Sequence, residues 1–109
     1  MSAPAARVDR ERLATLLERE RQRFAAEHPH SRELFARSQA HLLGGVPMTW
    51  MTEWAGEFPL FLERAQGARL VDVDGREYVD FCLGDTGAMA GHVPAATAEA
   101  VERQMSRDR

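Results

Sequence analysis

Leucine and phenylalanine at positions 13, 16, 17 and 24 recur at helical spacing, while arginine and glutamate take most of the positions between them. The pattern predicts an amphipathic helix that opens at Asp9, a good N-cap, and stops at His28-Pro29. Because Arg12, Glu18, Arg19, Glu20, Arg21 and Arg23 form its solvated face, the narrow leucine stripe has to be covered by another surface. A second helix follows, with Ser31 as its cap, Leu34, Phe35, Leu42 and Leu43 as its apolar positions, and Gly44 as the residue that tolerates a left-handed turn after its end. Residues 1–7, small and polar, are expected to form a disordered tail, and residues 8–45 a helical arm.

The period then breaks. Residues 46–59, VPMTWMTEWAGEFP, put Met48, Trp50, Met51 and Trp54 on a loop interrupted by Pro47, Gly56 and Pro59. An apolar loop of this kind needs a cover. Beyond it lie strand candidates at Leu60–Arg64, Arg69–Val73 and Glu77–Phe81. In the last two, Val71, Val73, Val79 and Phe81 alternate with polar residues, so the valine face is expected inside and Asp72, Asp74 and Asp80 outside. Asp74-Gly75 signals a hairpin and Gln66-Gly67 a turn, which makes a three-stranded antiparallel meander. Such a sheet is only marginally stable until its apolar face is covered, and the flanking helices are the available cover. Pro94 opens a last helix over Ala95–Met105, with Ala98, Val101 and Met105 along one stripe. The fold class is therefore α+β, with N-terminal helices, a β-meander, a glycine-rich loop and a C-terminal helix, the last three occupying residues 60–109.

Composition narrows the function. With 109 residues, 44% hydrophobic and 28% charged, the chain resembles an ordinary soluble protein, yet its helical arms leave little for a core. A net charge of −3 gives no reason to expect a nucleic-acid partner. MSAPAARVDRER lacks the apolar stretch of a signal peptide, and no run approaches the roughly 20 apolar residues of a membrane span. One cysteine, Cys82, cannot form an internal disulfide and fits a reducing compartment, so a cytoplasmic location is expected. All 14 basic residues are arginine, so no side-chain ammonium can form a Schiff base.

The motifs that suggest chemistry lack the spacing it needs. DVDGREYVDFCL offers carboxylates, but Gly75 is fourth and Leu83 twelfth where a calcium loop needs glycine sixth and glutamate twelfth. Gly84, Gly87 and Gly91 match neither a lysine-bearing phosphate loop nor the dinucleotide spacing. They fit better a place where backbone comes close to something bulky, or adopts positive φ, just past a strand end. His28, His30, His41, His92 and Cys82 lack the compact spacing of a metal site. Ser31, Ser38 and Ser106, on or beside helices, make no nucleophilic triad.

The order of these elements is nonetheless distinctive. Leu43-Gly44-Gly45-Val46, Phe58-Pro59-Leu60-Phe61, Gly67-Ala68, the ribbon Asp72-Val73-Asp74-Gly75-Arg76-Glu77-Tyr78-Val79-Asp80-Phe81, and Gly91-His92 resemble the N-terminal segment of class III pyridoxal-phosphate aminotransferases, and within them the glutamate-1-semialdehyde 2,1-aminomutase branch. The resemblance runs from residue 31 to about residue 105. It implies the N-terminal part of an α/β transferase of fold type I, a homodimer, pyridoxal 5′-phosphate as cofactor, and a small amino acid as substrate. It also implies that the loop after the ribbon faces the active site, where glycine gives the backbone room. Two departures bear on the substrate. The branch's Gly-Gly-Val-Asn-Ser-Pro-Val-Arg becomes Gly44-Gly45-Val46-Pro47-Met48-Thr49-Trp50-Met51, with an apolar methionine where the branch has a guanidinium, and its Gly-Ser-Trp-Gly becomes Gly84-Asp85-Thr86-Gly87. A less acidic amino donor is indicated.

The phosphate-binding turn, the ring-stacking aromatic, the pyridinium-pairing aspartate and the lysine of the family all lie downstream of these residues. The expectation is therefore an N-terminal portion of an aminotransferase or aminomutase, inactive alone, without its large cofactor domain, and carrying no catalytic, cofactor-binding or metal residue of its own. Val46, Met48, Trp50, Asp85, Thr86 and Gly87 are the expected substrate-pocket residues. The alternative is a small interaction module that associates through Leu13, Leu16, Leu17 and Phe24.

Overall fold

The Asp9 carboxylate accepts a hydrogen bond from the Arg12 amide at 3.0 Å, and helix α1 (Arg10–Glu27) begins there as its sequence predicts. The structure is a computed structural model that describes residues 8–53 and 56–107. The expected tail at 1–7 and the reading of Trp54 lie outside the described residues. The chain divides into two units, Met1–Pro59 and Leu60–Arg109.

In the first unit α1 buries none of its residues, and Leu13 and Leu17 remain exposed. Leu16 is half-buried, and the far end of the stripe is packed: the Phe24 ring centroid lies 4.5 Å from that of His28 and 5.0 Å from that of buried Phe58. The Arg32 guanidinium sits 5.4 Å from the centroid of the Phe58 ring, a cation–π contact that closes the cluster. His28 is buried, with its Nδ1 2.8 Å from the Phe24 carbonyl oxygen.

Helix α2 (Pro29–Ser38) starts earlier and ends earlier than its sequence suggests. Proline, which has no amide to satisfy and a preset φ, takes the first turn, so Ser31 is a wholly buried residue inside the helix rather than its cap. At the other end the chain turns back on itself. Ser38 Oγ shares its proton between the carbonyls of Phe35 (2.9 Å) and Gly45 (2.6 Å). Gly44 and Gly45 are left-handed (φ 68° and 75°) in a short 3₁₀ turn, Leu43–Gly45. A Cβ on Gly45 would lie 2.9 Å from both the Phe35 ring and Gln39 Cγ. That close return excludes a helix running on to Leu43, which is left 84% exposed. A second 3₁₀ turn, Thr49–Thr52, interrupts the expected loop.

The second unit holds the sheet, antiparallel in the order β1-β2-β3. Strand β1 is Leu62–Gln66, β2 is Arg69–Asp72 and β3 is Glu77–Val79. β1 lies further along than Leu60–Arg64 because the Gly67-Ala68 loop, with Gly67 at φ 57°, lets Gln66 pair directly with Arg69. An irregularity between Leu62 and Arg64 shifts the register at its start. Between β2 and β3 the Asp72 amide donates to the Arg76 carbonyl at 3.0 Å, with Gly75 left-handed at φ 81°.

The expected faces of this hairpin are overturned at Asp72. Its side chain is fully buried, and it accepts hydrogen bonds from the amides of Asp74 (3.0 Å) and Arg76 (2.8 Å) and from the Tyr78 hydroxyl (2.7 Å). A carboxylate supplied with donors can be buried, and turn amides are donors that alternation does not reveal. Val71 is buried as expected, but Val79 is exposed and Phe81 is 91% exposed. Helix α3 (Ala95–Arg107) opens after Pro94, whose carbonyl accepts from the Thr97 and Ala98 amides at 3.0 Å. It buries none of its residues, so its Val101 and Met105 stripe stays open. Among the described residues no helix is long and apolar enough to cross a membrane.

Candidate functional site

The loop after β3 is built on one carboxylate. Asp80 Oδ1 accepts from the Cys82 amide at 2.9 Å, and Asp80 Oδ2 accepts from the Gly84 amide at 2.8 Å and lies 2.6 Å from His92 Nε2. A carboxylate only accepts, so His92 Nε2 carries the proton of this pair. Both backbones are fastened to the turn before β2: the Asp80 amide donates to the Ala68 carbonyl at 2.8 Å, while Gly67 and His92 exchange two bonds at 3.0 and 2.8 Å. The His92 hydrogen bond, reinforced by the two amides against the effect of desolvation, holds the Asp80 carboxyl below the ordinary carboxylate range.

From this anchor the backbone enters a left-handed run: Leu83 (φ 56°), Gly84 (φ 55°), Asp85 (φ 53°) and Thr86 (φ 71°). Each non-glycine residue there costs roughly 1–2 kcal/mol, and a β-branched threonine is an especially poor occupant. Glycine at 84 also keeps room for this anchor, since a Cβ there would approach His92 Cε1 to 3.2 Å, closer than side chains ordinarily come. At 91 glycine is required too, because its φ is 87° and a Cβ would meet Gly67 Cα at 3.2 Å.

The six residues expected to form a substrate pocket fall in both units. In the first, Val46 is buried with extended backbone, Met48 is half-exposed with extended backbone, and Trp50 is partly exposed on the Thr49–Thr52 turn. In the second, Asp85, Thr86 and Gly87 are all exposed on the loop. The positive φ expected of its glycines is shared with Asp85 and Thr86 and does not occur at Gly87. The sequence places Asp80 on the outward face of the hairpin and gives His92 a cap or packing role, but the Asp80 side chain turns in to His92 and is only 7% exposed. Their separation has no periodicity, and only the return of the chain past Gly91 brings them together.

Among the described residues no group of three or more His, Cys, Asp or Glu side chains could hold a metal ion. Six of the loop amides already donate within the chain: those of Cys82 and Gly84 to Asp80, those of Thr86, Gly87, Ala88 and Gly91 to carbonyls of the same loop. With no lysine anywhere in the chain, these residues do not by themselves fit pyridoxal phosphate.

Comparison with known proteins gives these features a context. No protein-family profile matches the chain. The glutamate-1-semialdehyde 2,1-aminomutase of Sorangium cellulosum is 43% identical over 103 residues, 92% of this chain and 19% of the relative. A glutamate-1-semialdehyde aminomutase from Pseudomonas aeruginosa matches in structure with a TM-score of 0.83 and 47% identity, over 92% of this chain and 22% of the other; a variant of it has been crystallised in complex with PMP. The β-phenylalanine aminotransferase of Variovorax paradoxus matches with a TM-score of 0.76 and 29% identity, over 85% of this chain and 21% of the other. The chain thus spans about a fifth of the length of the relatives it matches. On sequence identity and fold together, it belongs to the class III pyridoxal-phosphate-dependent aminotransferase family and corresponds to the N-terminal portion of its members.

Proposed function

We propose that the chain is the N-terminal portion of a cytoplasmic, homodimeric aminotransferase or aminomutase that moves an amino group between an amino acid and a keto or aldehyde acceptor, and that these 109 residues alone are inactive. The match to an aminomutase over 103 residues, in a chain that contains no lysine, is the observation that carries this reading. In the complete protein the cofactor supplies the electron sink for the chemistry at the amino-bearing carbon. The residues of this chain shape and orient. Met48 and Trp50 offer apolar surface to the substrate, with the buried Val46 holding the backbone between the glycine turn and Met48, which excludes water and favours an amino donor less acidic than glutamate-1-semialdehyde. Asp85, Thr86 and Gly87 offer a carboxylate, a hydroxyl and open backbone, from which polar groups of the substrate can be held.

The test uses the purified chain with its α-amine blocked, incubated with pyridoxal phosphate and a panel of amino acids. The expected result is the spectrum of the same mixture without the chain, and no keto acid above that background. Turnover of any amino acid would overturn the reading. Sequencing the genomic DNA beyond Arg109 adds a second arm, with a continuation bearing Ser-Gly-Thr-Glu and a lysine as the expected outcome.

A further inference from the structure

We propose that Asp80 and His92 form a clasp that holds the loop at residues 81–91 in its left-handed form, and so fixes the direction in which Asp85, Thr86 and Gly87 are presented. The loop has little else to hold it. Residues 81–87 are all exposed, so no packed side chain secures this stretch. Its own bonds are few, and the one from the Thr86 amide to the Cys82 carbonyl is long at 3.5 Å. Against that, Leu83, Asp85 and Thr86 stand in a backbone region that non-glycine residues avoid.

The clasp supplies the missing restraint from sheltered atoms. The Asp80 and His92 side chains are only 7% and 19% exposed, and their backbones are tied to Ala68 and Gly67 beside the sheet. Three donors converge on one carboxylate: the amide that enters the loop, the amide at the centre of its first turn, and a ring N–H from the residue after its end. Cutting that carboxylate unties the loop at both ends at once. Asp80 and His92 are thus positioning residues. The bearing of this orientation on a substrate rests on the proposed function; the clasp itself does not.

Amide hydrogen exchange of the full chain, followed by mass spectrometry, tests the proposal with residues 69–79 as the internal reference. Asp80→Ala is expected to speed exchange at 82–88 by roughly tenfold or more, since hydrogen bonds to a charged group are lost, while 69–79 is unchanged. His92→Leu should act in the same direction. His92→Gln, which keeps an N–H near the Nε2 position, should retain wild-type rates. Unchanged loop exchange in Asp80→Ala would overturn the clasp, as would Gln behaving like Leu at 92. An equal rise in the loop and in 69–79 in both deletion variants would also overturn it, making Asp80 a support of the sheet. None of these outcomes touches the activity test, whose readout is turnover and spectrum.

Discussion

Two aspartates that the sequence presents as equivalent surface residues have different work. Asp72 is fully buried and satisfied by two turn amides and the Tyr78 hydroxyl, so it stitches the β2–β3 hairpin from inside. Tyr78→Phe leaves a buried acceptor short of a donor and should destabilise the second unit by about 1–3 kcal/mol, read as a shift in urea midpoint. Burial, then the hydrogen bond to Asp72, pushes the Tyr78 hydroxyl well above the ordinary phenol range. A raised folded value gives a contribution that is complete below the ordinary phenol range and lost as pH rises through the folded one. An ultraviolet titration should therefore show no phenolate from Tyr78 until the hairpin opens. Asp80 has the opposite sign. Its carboxyl is lowered, first by His92, so its contribution is complete above the ordinary carboxylate range and lost as pH falls through the folded value. Exchange at 82–88, corrected for intrinsic rate, should accelerate in acid below that range, and unaltered rates there would contradict it.

At the scale of elements, the ends were harder to read than the interiors. The period of 3.6 and the Asp9 cap were sufficient for α1, and the turn signals at Gly67 and Asp74-Gly75 for the sheet order. The limits of α2 were decided elsewhere. Its last turn is set by the fold-back that the left-handed Gly44 allows and that brings Gly45 against Phe35, an interaction between residues on opposite sides of a break in the pattern. The two glycines should answer differently to the same change. Gly44→Ala meets open space and bears only the cost of φ 68°, about 1–2 kcal/mol. Gly45→Ala adds a 2.9 Å clash with the Phe35 ring to the same backbone cost, and should lower the thermal midpoint of the first unit further. Equal midpoints in the two variants would contradict the close return.

At the scale of the whole molecule, apolar surface remains in view. Leu13, Leu17, Leu43, Phe81, Met89, Val101 and Met105 are all exposed, and the buried hydrophobic residues among those described are Val46, Phe58 and Val71. The chain should accordingly be weakly stable alone, with a low thermal midpoint. A midpoint of about 65 °C or more for a soluble monomer would contradict this. Of the expected pocket residues, the sequence supplied the candidates Asp85, Thr86 and Gly87 by resemblance, whereas the support beneath their loop, Asp80 with His92, was not legible. Periodicity reports neighbours along one element; a bond across a glycine loop leaves no period.

By itself, then, the sequence determined the elements whose cause is local: a capped amphipathic helix, turns that need glycine, a final helix after proline, and the family that shares this order. Tertiary structure alone decided which aspartate is buried, where α2 stops, and which residues bear left-handed backbone. Those outcomes depend on which donors and rings the folded chain brings within a few ångströms, and sequence spacing does not encode that distance.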